Sequence, residues 1–345
     1  MVAPAHGRPL APVLAGCLLA TAAVAWLGLC VGAGALELEA PRLGWDSLGL
    51  ADAAATVRQL AIREARLPRV LLGLIAGAAF ATAGGVLQAL TRNPLAAPSL
   101  AGVQPGAGLA VVLALWALPW ISPGSLALVA FAGAFGGAGL VFALTAAAGP
   151  RAPSSTLLLA GVCVSMTAQA AILLVVLSTG FGQDVLVWQA GALTNASWSA
   201  LKVMTPFWLA GFVLVAWLAP ALRVLALGDE VSAGLGARPG VVRALGLLSV
   251  LLLAGATVAV TGPVGFVGLV VPHLARKLAG FDERRYLPVA AMLGACLIVL
   301  ADALARSLRP PMELPVGVVT AALGAPLFLF WATRQTESGA AQEPR

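Results

Sequence analysis

Ten apolar stretches decide what this sequence can fold into. They run from Leu10 to Ala35, Val70 to Leu90, Leu100 to Leu118, Leu126 to Ala148, Thr156 to Leu177, Val203 to Leu222, Val241 to Val260, Val264 to Ala279, Leu287 to Leu308 and Leu314 to Trp331. A helix needs about 20 mostly apolar residues to cross the hydrocarbon core of a bilayer. Only 10% of residues are charged, against roughly 25% in a soluble domain. Such a chain cannot cover its surface with water-loving groups, so lipid must be part of its solvent. The pattern predicts an all-α integral membrane protein of ten transmembrane helices, a single domain over residues 1–345 with a short tail at 332–345. The eighth stretch is short and irregular. The first ends in Ala33-Gly34-Ala35, which resembles a signal cleavage site, but its apolar run exceeds the usual 7–15-residue signal core. It is read as a retained helix.

An even number of spans puts both termini on one side, and the cations choose which. With both termini inside, 12 of the 20 Lys and Arg fall in inner segments and 8 outside. Five of those 8, Arg42, Arg58, Arg63, Arg66 and Arg69, lie in or just after the connection from Leu36 to Pro68. The short outer loops are nearly free of cations, which is the usual bias. The net charge of +6 therefore reflects membrane sidedness and gives no argument for nucleic acid. Cys17, Cys30, Cys163 and Cys296 sit far apart in apolar stretches and read as small buried hydrophobes. With only His6 and His273 beside them, no metal site is expected.

Small residues recur every fourth position at Gly73, Gly77, Ala81 and Gly85, at Gly133 and Gly137, and at Gly317, Ala321 and Ala325. They read either as helix packing within the chain or as faces lining a path or a subunit contact, and spacing does not separate the two. Asp302 and Arg306 lie one turn apart near the outer end of the ninth span, where they can pair. No span carries an ionisable residue near its middle. A proton- or sodium-driven secondary transporter would need one, and a membrane enzyme would need a cluster of His, Asp or Glu at one depth.

Three stretches stand out. In Thr261–Gly280, Gly262, Pro263, Gly265 and Gly268 break an apolar run that Pro272 interrupts again. Non-helical backbone at membrane depth needs protein or a water-filled cavity over it, so this is a kinked, packed helix or backbone beside a conduit. His273, without a partner His or carboxylate in sequence, reads as structural. In the inner loop Leu225–Gly240, Asp229 and Glu230 suit a helix N-terminus. Leu227, Val231 and Leu235 recur at helical spacing, and Gly236 suits the stop. This amphipathic helix lacks the basic polar face of a lipid-surface helix, so it fits a protein partner. Trp188 and Trp198, between the fifth and sixth spans, read as membrane-interface anchors.

The motifs "RLPR" from Arg66, "GGVLQALTRNPLAAPSLAGVQPGAG" from Gly84, "LALGDEVSAGLG" from Leu225, "GFVGLVVPHLAR" from Gly265 and "ELPVGVVTAALGAPLFLF" from Glu313 occur in this order. Together they resemble the FecCD-like permeases of binding-protein-dependent ABC importers for iron-siderophores, haem and cobalamin. The resemblance implies the type II importer fold, with ten spans per subunit and two copies around a central path in the bacterial inner membrane. It implies two copies of a separate cytoplasmic ATPase and a periplasmic substrate-binding protein as partners. The chain itself carries no G-x-x-x-x-G-K-[ST] phosphate loop, so no ATP hydrolysis and no cofactor are expected of it. By resemblance, Leu227, Gly228, Asp229, Glu230, Val231, Leu235 and Gly236 form the ATPase-coupling segment. Arg66, Arg69 and Arg306 receive acidic residues of the binding protein. Gly262, Pro263, Gly265 and Gly268 lie near the path, and the span after Pro153 gates it. The expected cargo is a ferric siderophore carried from periplasm to cytoplasm by alternating access, with haem or cobalamin as alternatives.

Overall fold

The computed structural model describes residues 9–32, 37–47, 56–149, 155–179, 185, 188–194, 196–309 and 312–327. The expected tail at 332–345 and the Ala33-Gly34-Ala35 site lie outside them. The helices are α1 (Leu10–Cys30), α2 (Ala40–Ser47), α3 (Val57–Thr91), α4 (Val103–Ala117), α5 (Pro123–Ala147), α6 (Ser155–Thr179), α7 (Trp198–Ala226), α8 (Asp229–Gly234), α9 (Pro239–Thr261), α10 (Val267–Ala279), α11 (Glu283–Ser307) and α12 (Val316–Leu327). Among the described residues, seven helices are long and apolar enough to cross a membrane: α1, α3, α5, α6, α7, α9 and α11. Each overlaps one of the apolar stretches, and the remaining three stretches form the shorter helices α4, α10 and α12.

The largest departure from the sequence expectation is α3. It starts 13 residues before Val70, because Thr56 and Gln59 form a capping box. The Thr56 amide donates to Gln59 Oε1 at 2.9 Å and the Gln59 amide donates back to Thr56 Oγ1 at 3.3 Å, which satisfies two free amides of the first turn. The helix then passes through one π turn, Ile62–Arg66, just before Pro68. The wider turn accommodates a proline that has no amide hydrogen to give. Arg66 and Arg69 therefore lie within a continuous helix and not in a loop at its mouth.

Helix α3 is the core of the bundle, 78% of its apolar window being buried, against 17% for α1 and 22% for α6. The glycine rows explain its neighbours. A Cβ at Gly77 would run into the Gly294 carbonyl, and one at Gly85 would meet Leu287 and Tyr286. The first row is thus the seam between α3 and α11. Gly84 lies equally close to Gly268, seating α10 on α3. Gly102 and Gly106 meet Gly133 and Gly137, closing α4 onto α5. Lipid offers helices no hydrophobic reason to associate, so this backbone-to-backbone approach supplies the dispersion contact that holds them. Of the alternatives left open by spacing, packing within the chain accounts for these rows, and Gly317 likewise abuts the Ala190 carbonyl.

Candidate functional site

The chain is unwound between α9 and α10, at the stretch the sequence marks as broken. Gly262 ends α9 at φ +67°, and Phe266 caps α10 at φ +66°. Gly262 has two reasons to be glycine, its left-handed φ and the Trp188 carbonyl standing where a Cβ would go. The freed carbonyls find partners. Ala192 N donates to Thr261 O at 2.9 Å. Gln104 Nε2 donates to Val264 O at 3.2 Å, and Gln88 Nε2 lies 3.4 Å from Gly268 O, the carbonyl that Pro272 leaves without a helical donor. Gln88 is itself held by Arg276, whose Nη1 donates to its Oε1 at 2.7 Å. Gly317 N donates to Gly191 O at 2.9 Å, so α12 braces the same knot. Amide side chains thus replace the missing helical bonds, as membrane depth requires.

Of the four residues expected beside a conduit, Pro263 forms part of a cavity wall and Gly265 has open space where a Cβ would stand. Gly262 and Gly268 are buried in close backbone contacts. The cavity, about 360 Å³, is lined by Gln104, Ser165, Met166, Gln169, Trp188 and Gln189 among others. Gln169 Nε2 donates to Gln189 Oε1 at 2.9 Å. The lining is mostly apolar surface dotted with neutral polar side chains, and none of these residues is ionisable. The sequence reading missed these glutamines. The available signal was a lone amide in an otherwise apolar span, which Gln88, Gln104 and Gln169 each provide. The tryptophans are also placed differently from the expected belt. Trp188 packs on Gly108 and walls the cavity, and Trp198 Nε1 donates to the Arg63 carbonyl at 3.1 Å.

At one end of the bundle, the loop around α8 is clamped by charge. Asp229 Oδ1 accepts from Arg243 at 2.7 Å and from Arg92 as well, tying α8 to α9 and to the end of α3. Partial burial works against the Asp229 charge, but hydrogen bonds from Arg243 and Arg92 hold its carboxyl below the usual range. Leu227, Val231 and Leu235 are 62%, 51% and 64% exposed, an apolar row facing outward. Gly228 and Gly236 take positive φ at the two ends of the short helix. Glu230 is exposed beside them.

The opposite end carries the arginines expected to receive a partner's acids, and here the structure departs from that picture. Arg306 is 3% exposed. It donates to the carbonyls of Gly28 and Val31 in and after α1, and its Nη2 lies 3.1 Å from Asp302 Oδ2. Arg69 grips both Asp302 oxygens, with Nε–Oδ2 3.1 Å and Nη2–Oδ1 2.8 Å, and its Nη1 holds Glu313 Oε2 at 2.7 Å. Arg66 pairs with Glu37 at 3.3 Å and donates to Leu29 O. The Glu37 carboxyl is held low chiefly by its Arg66 hydrogen bond. Sequence proximity found the Asp302–Arg306 pair but missed Arg69 as the principal partner of Asp302, 233 residues away.

Backbone held open between two apolar helices, satisfied by neutral amides and facing an uncharged cavity, suits a membrane permease. The chain belongs to the FecCD transport family, whose profile matches residues 18–334. It is 44% identical over 276 residues to a Bacillus subtilis Fe(3+)-citrate import system permease protein, YfmD, covering 80% of this chain and 82% of that one. It is 39% identical to the Escherichia coli Fe(3+) dicitrate permease FecC, covering 81% and 85%, and 40% identical to the Yersinia pestis hemin permease HmuU, covering 79% and 83%. A solved metal-chelate type ABC transporter in an inward-facing conformation matches with a TM-score of 0.81 at 29% identity, over 94% of this chain and 99% of that one.

Proposed function

We propose that this chain is the permease subunit of an ATP-driven importer that moves an iron chelate, a ferric siderophore foremost, from periplasm to cytoplasm. The observation that carries the reading is the glutamine-lined cavity beside the unwound Gly262–Phe266 segment. A fixed charge there would trap a chelate of opposite sign, whereas neutral amides bind weakly and let it leave. Relatives named for ferric citrate and for hemin fit a shared path whose selectivity lies in the binding protein. In this reading the seven long helices and the shorter α4, α10 and α12 make ten spans, with both termini cytoplasmic. Two copies enclose the path, and alternating access is driven by two separate ATPase subunits seated on the α8 loops.

Arg306 and Asp302 hold α1 to α11 in this scheme. Docking falls to the rim, where the half-exposed Glu37 and Glu313 occupy Arg66 and Arg69. Acids of the binding protein exchange for these placeholders. The reading is tested by reconstituting the chain in liposomes with a partner ATPase and a binding protein. Uptake of ⁵⁵Fe as a siderophore complex should require ATP and the binding protein. Uptake driven by an ion gradient without ATP would overturn it, and ATP-driven uptake of hemin or cobalamin alone would reassign the cargo.

A further inference from the structure

A second cavity, about 310 Å³, lies between α3, α7 and α11 at the end of the bundle that carries α8. Its wall is apolar, with Phe212, Val215 and Leu287, but it also includes Thr82, Glu283 and Arg284. Glu283 is 5% exposed and Thr82 is 3% exposed. Glu283 Oε2 and Thr82 Oγ1 are the two buried side-chain polar atoms among the described residues that lack a hydrogen-bond partner. A buried acceptor left unpaired costs far more than an ordinary bond gains, and here two lie along one crevice. Arg284, next to Glu283, is exposed at the mouth.

The arrangement reads as a match to a zwitterion. We propose that this crevice binds a glycerophospholipid with a primary-amine headgroup, taken from the leaflet at the α8 end. The ammonium donates to Glu283 Oε2 after a turn of the carboxylate about its soft terminal torsion. The phosphate meets the guanidinium of Arg284, and an acyl chain lies on Phe212, Val215 and Leu287. Gly85 packs on Leu287, so Thr82, three residues further along α3, sits roughly 10 Å deeper than Glu283 by helical rise. That is the level of the ester carbonyls, which can accept from its hydroxyl. Neighbouring cations do not take the Glu283 role from the headgroup. Arg223 is paired with Asp282 at 2.7 Å and Arg276 with Gln88 at 2.7 Å. A choline headgroup has the same charge but no N–H, and a glycerol headgroup has no cation.

The test is native mass spectrometry of the purified, delipidated chain titrated with phosphatidylethanolamine, phosphatidylcholine and phosphatidylglycerol of identical acyl chains. One phosphatidylethanolamine should bind about tenfold more tightly than either of the others, the scale of a hydrogen bond to a charged group. Glu283→Gln should bring it to within about twofold of phosphatidylcholine. Ala216→Trp, on the exposed side of the crevice wall, should remove the adduct with Glu283 intact. It decides the matter even if Glu283→Gln does not fold. Equal binding of the three lipids, or a preference that survives Ala216→Trp, overturns the proposal.

Discussion

Replacing Asp302 by Ala should be among the most damaging single changes at the end of the bundle opposite α8. Asp302 is 2% exposed and accepts three hydrogen bonds from Arg69, with Arg306 close to its other face. Its loss leaves two guanidinium groups buried beside each other with one carboxylate, Glu313, between them. Removing one partner of a buried pair costs about 3–5 kcal/mol. Arg69 keeps Glu313 and Arg306 keeps the Gly28 and Val31 carbonyls, so the low end, about 3 kcal/mol, applies. That is roughly a 150-fold fall in the folded-to-unfolded ratio. The assay is reversible SDS-titrated unfolding in mixed micelles, followed by tryptophan fluorescence. Asp302→Leu combined with Arg69→Met should cost less than Asp302→Leu alone, because the double change removes a charge that the single change strands. A loss below about 1 kcal/mol for Asp302→Ala, the value of an exposed pair, would refute the claim that this cluster holds α1, α3 and α11 together.

Further outcomes follow from other parts of the molecule. Leu227→Asp with Val231→Asp should abolish co-purification of the ATPase while leaving the permease folded, a loss of roughly 2–5 kcal/mol in binding; unchanged pull-down would remove the α8 face from the interface. The Asp229 carboxyl is depressed by Arg243 and Arg92, so its clamp is fully formed above the ordinary aspartate value of about 3.9 and is lost only as pH falls below it. Hydrogen-exchange protection in the loop 227–238, the intrinsic rate divided by the observed rate at each pH, should therefore stay flat from pH 7 to 5, whereas Asp229→Asn should lower it throughout, and a loss of wild-type protection above pH 5 would contradict the assignment. Gly77→Val should separate α3 from α11, because the Gly294 backbone cannot move aside, and poor accumulation in the membrane is the expected readout; normal accumulation and stability would count against the seam.

The spans were legible because lipid imposes one rule, a minimum apolar length, that composition along the chain answers directly. The seams were legible as glycine spacing once a partner helix supplied glycine at the same depth, as Gly294 does for Gly77. What sequence could not supply was convergence. Gln104, Gln169 and Gln189 sit on three different segments and become one cavity wall only when those segments meet. Glu283, set among Asp282, Arg284 and Arg285, looks like part of a hydrated interface, yet it is turned inward beside Leu287. The start of α3 was missed because Arg58, Gln59, Arg63, Glu64 and Arg66 interrupt residues 57–66, and apolar length cannot register a helix that continues past the apolar run.

That extension gives α3 a mechanical character. Its 35 residues make a rod about 52 Å long at 1.5 Å per residue, against a hydrocarbon core of about 30 Å. About a third of the way along, Arg69 is locked to Asp302 and Glu313; just past the far end, Arg92 holds Asp229 in the α8 loop. The Arg66–Arg69 cluster and the α8 loop are thus fastened to the same strut. Under the importer reading proposed above, force need not pass side chain by side chain through the core: a rigid tilt of the strut at one end would be delivered, with its direction reversed, as a displacement at the other.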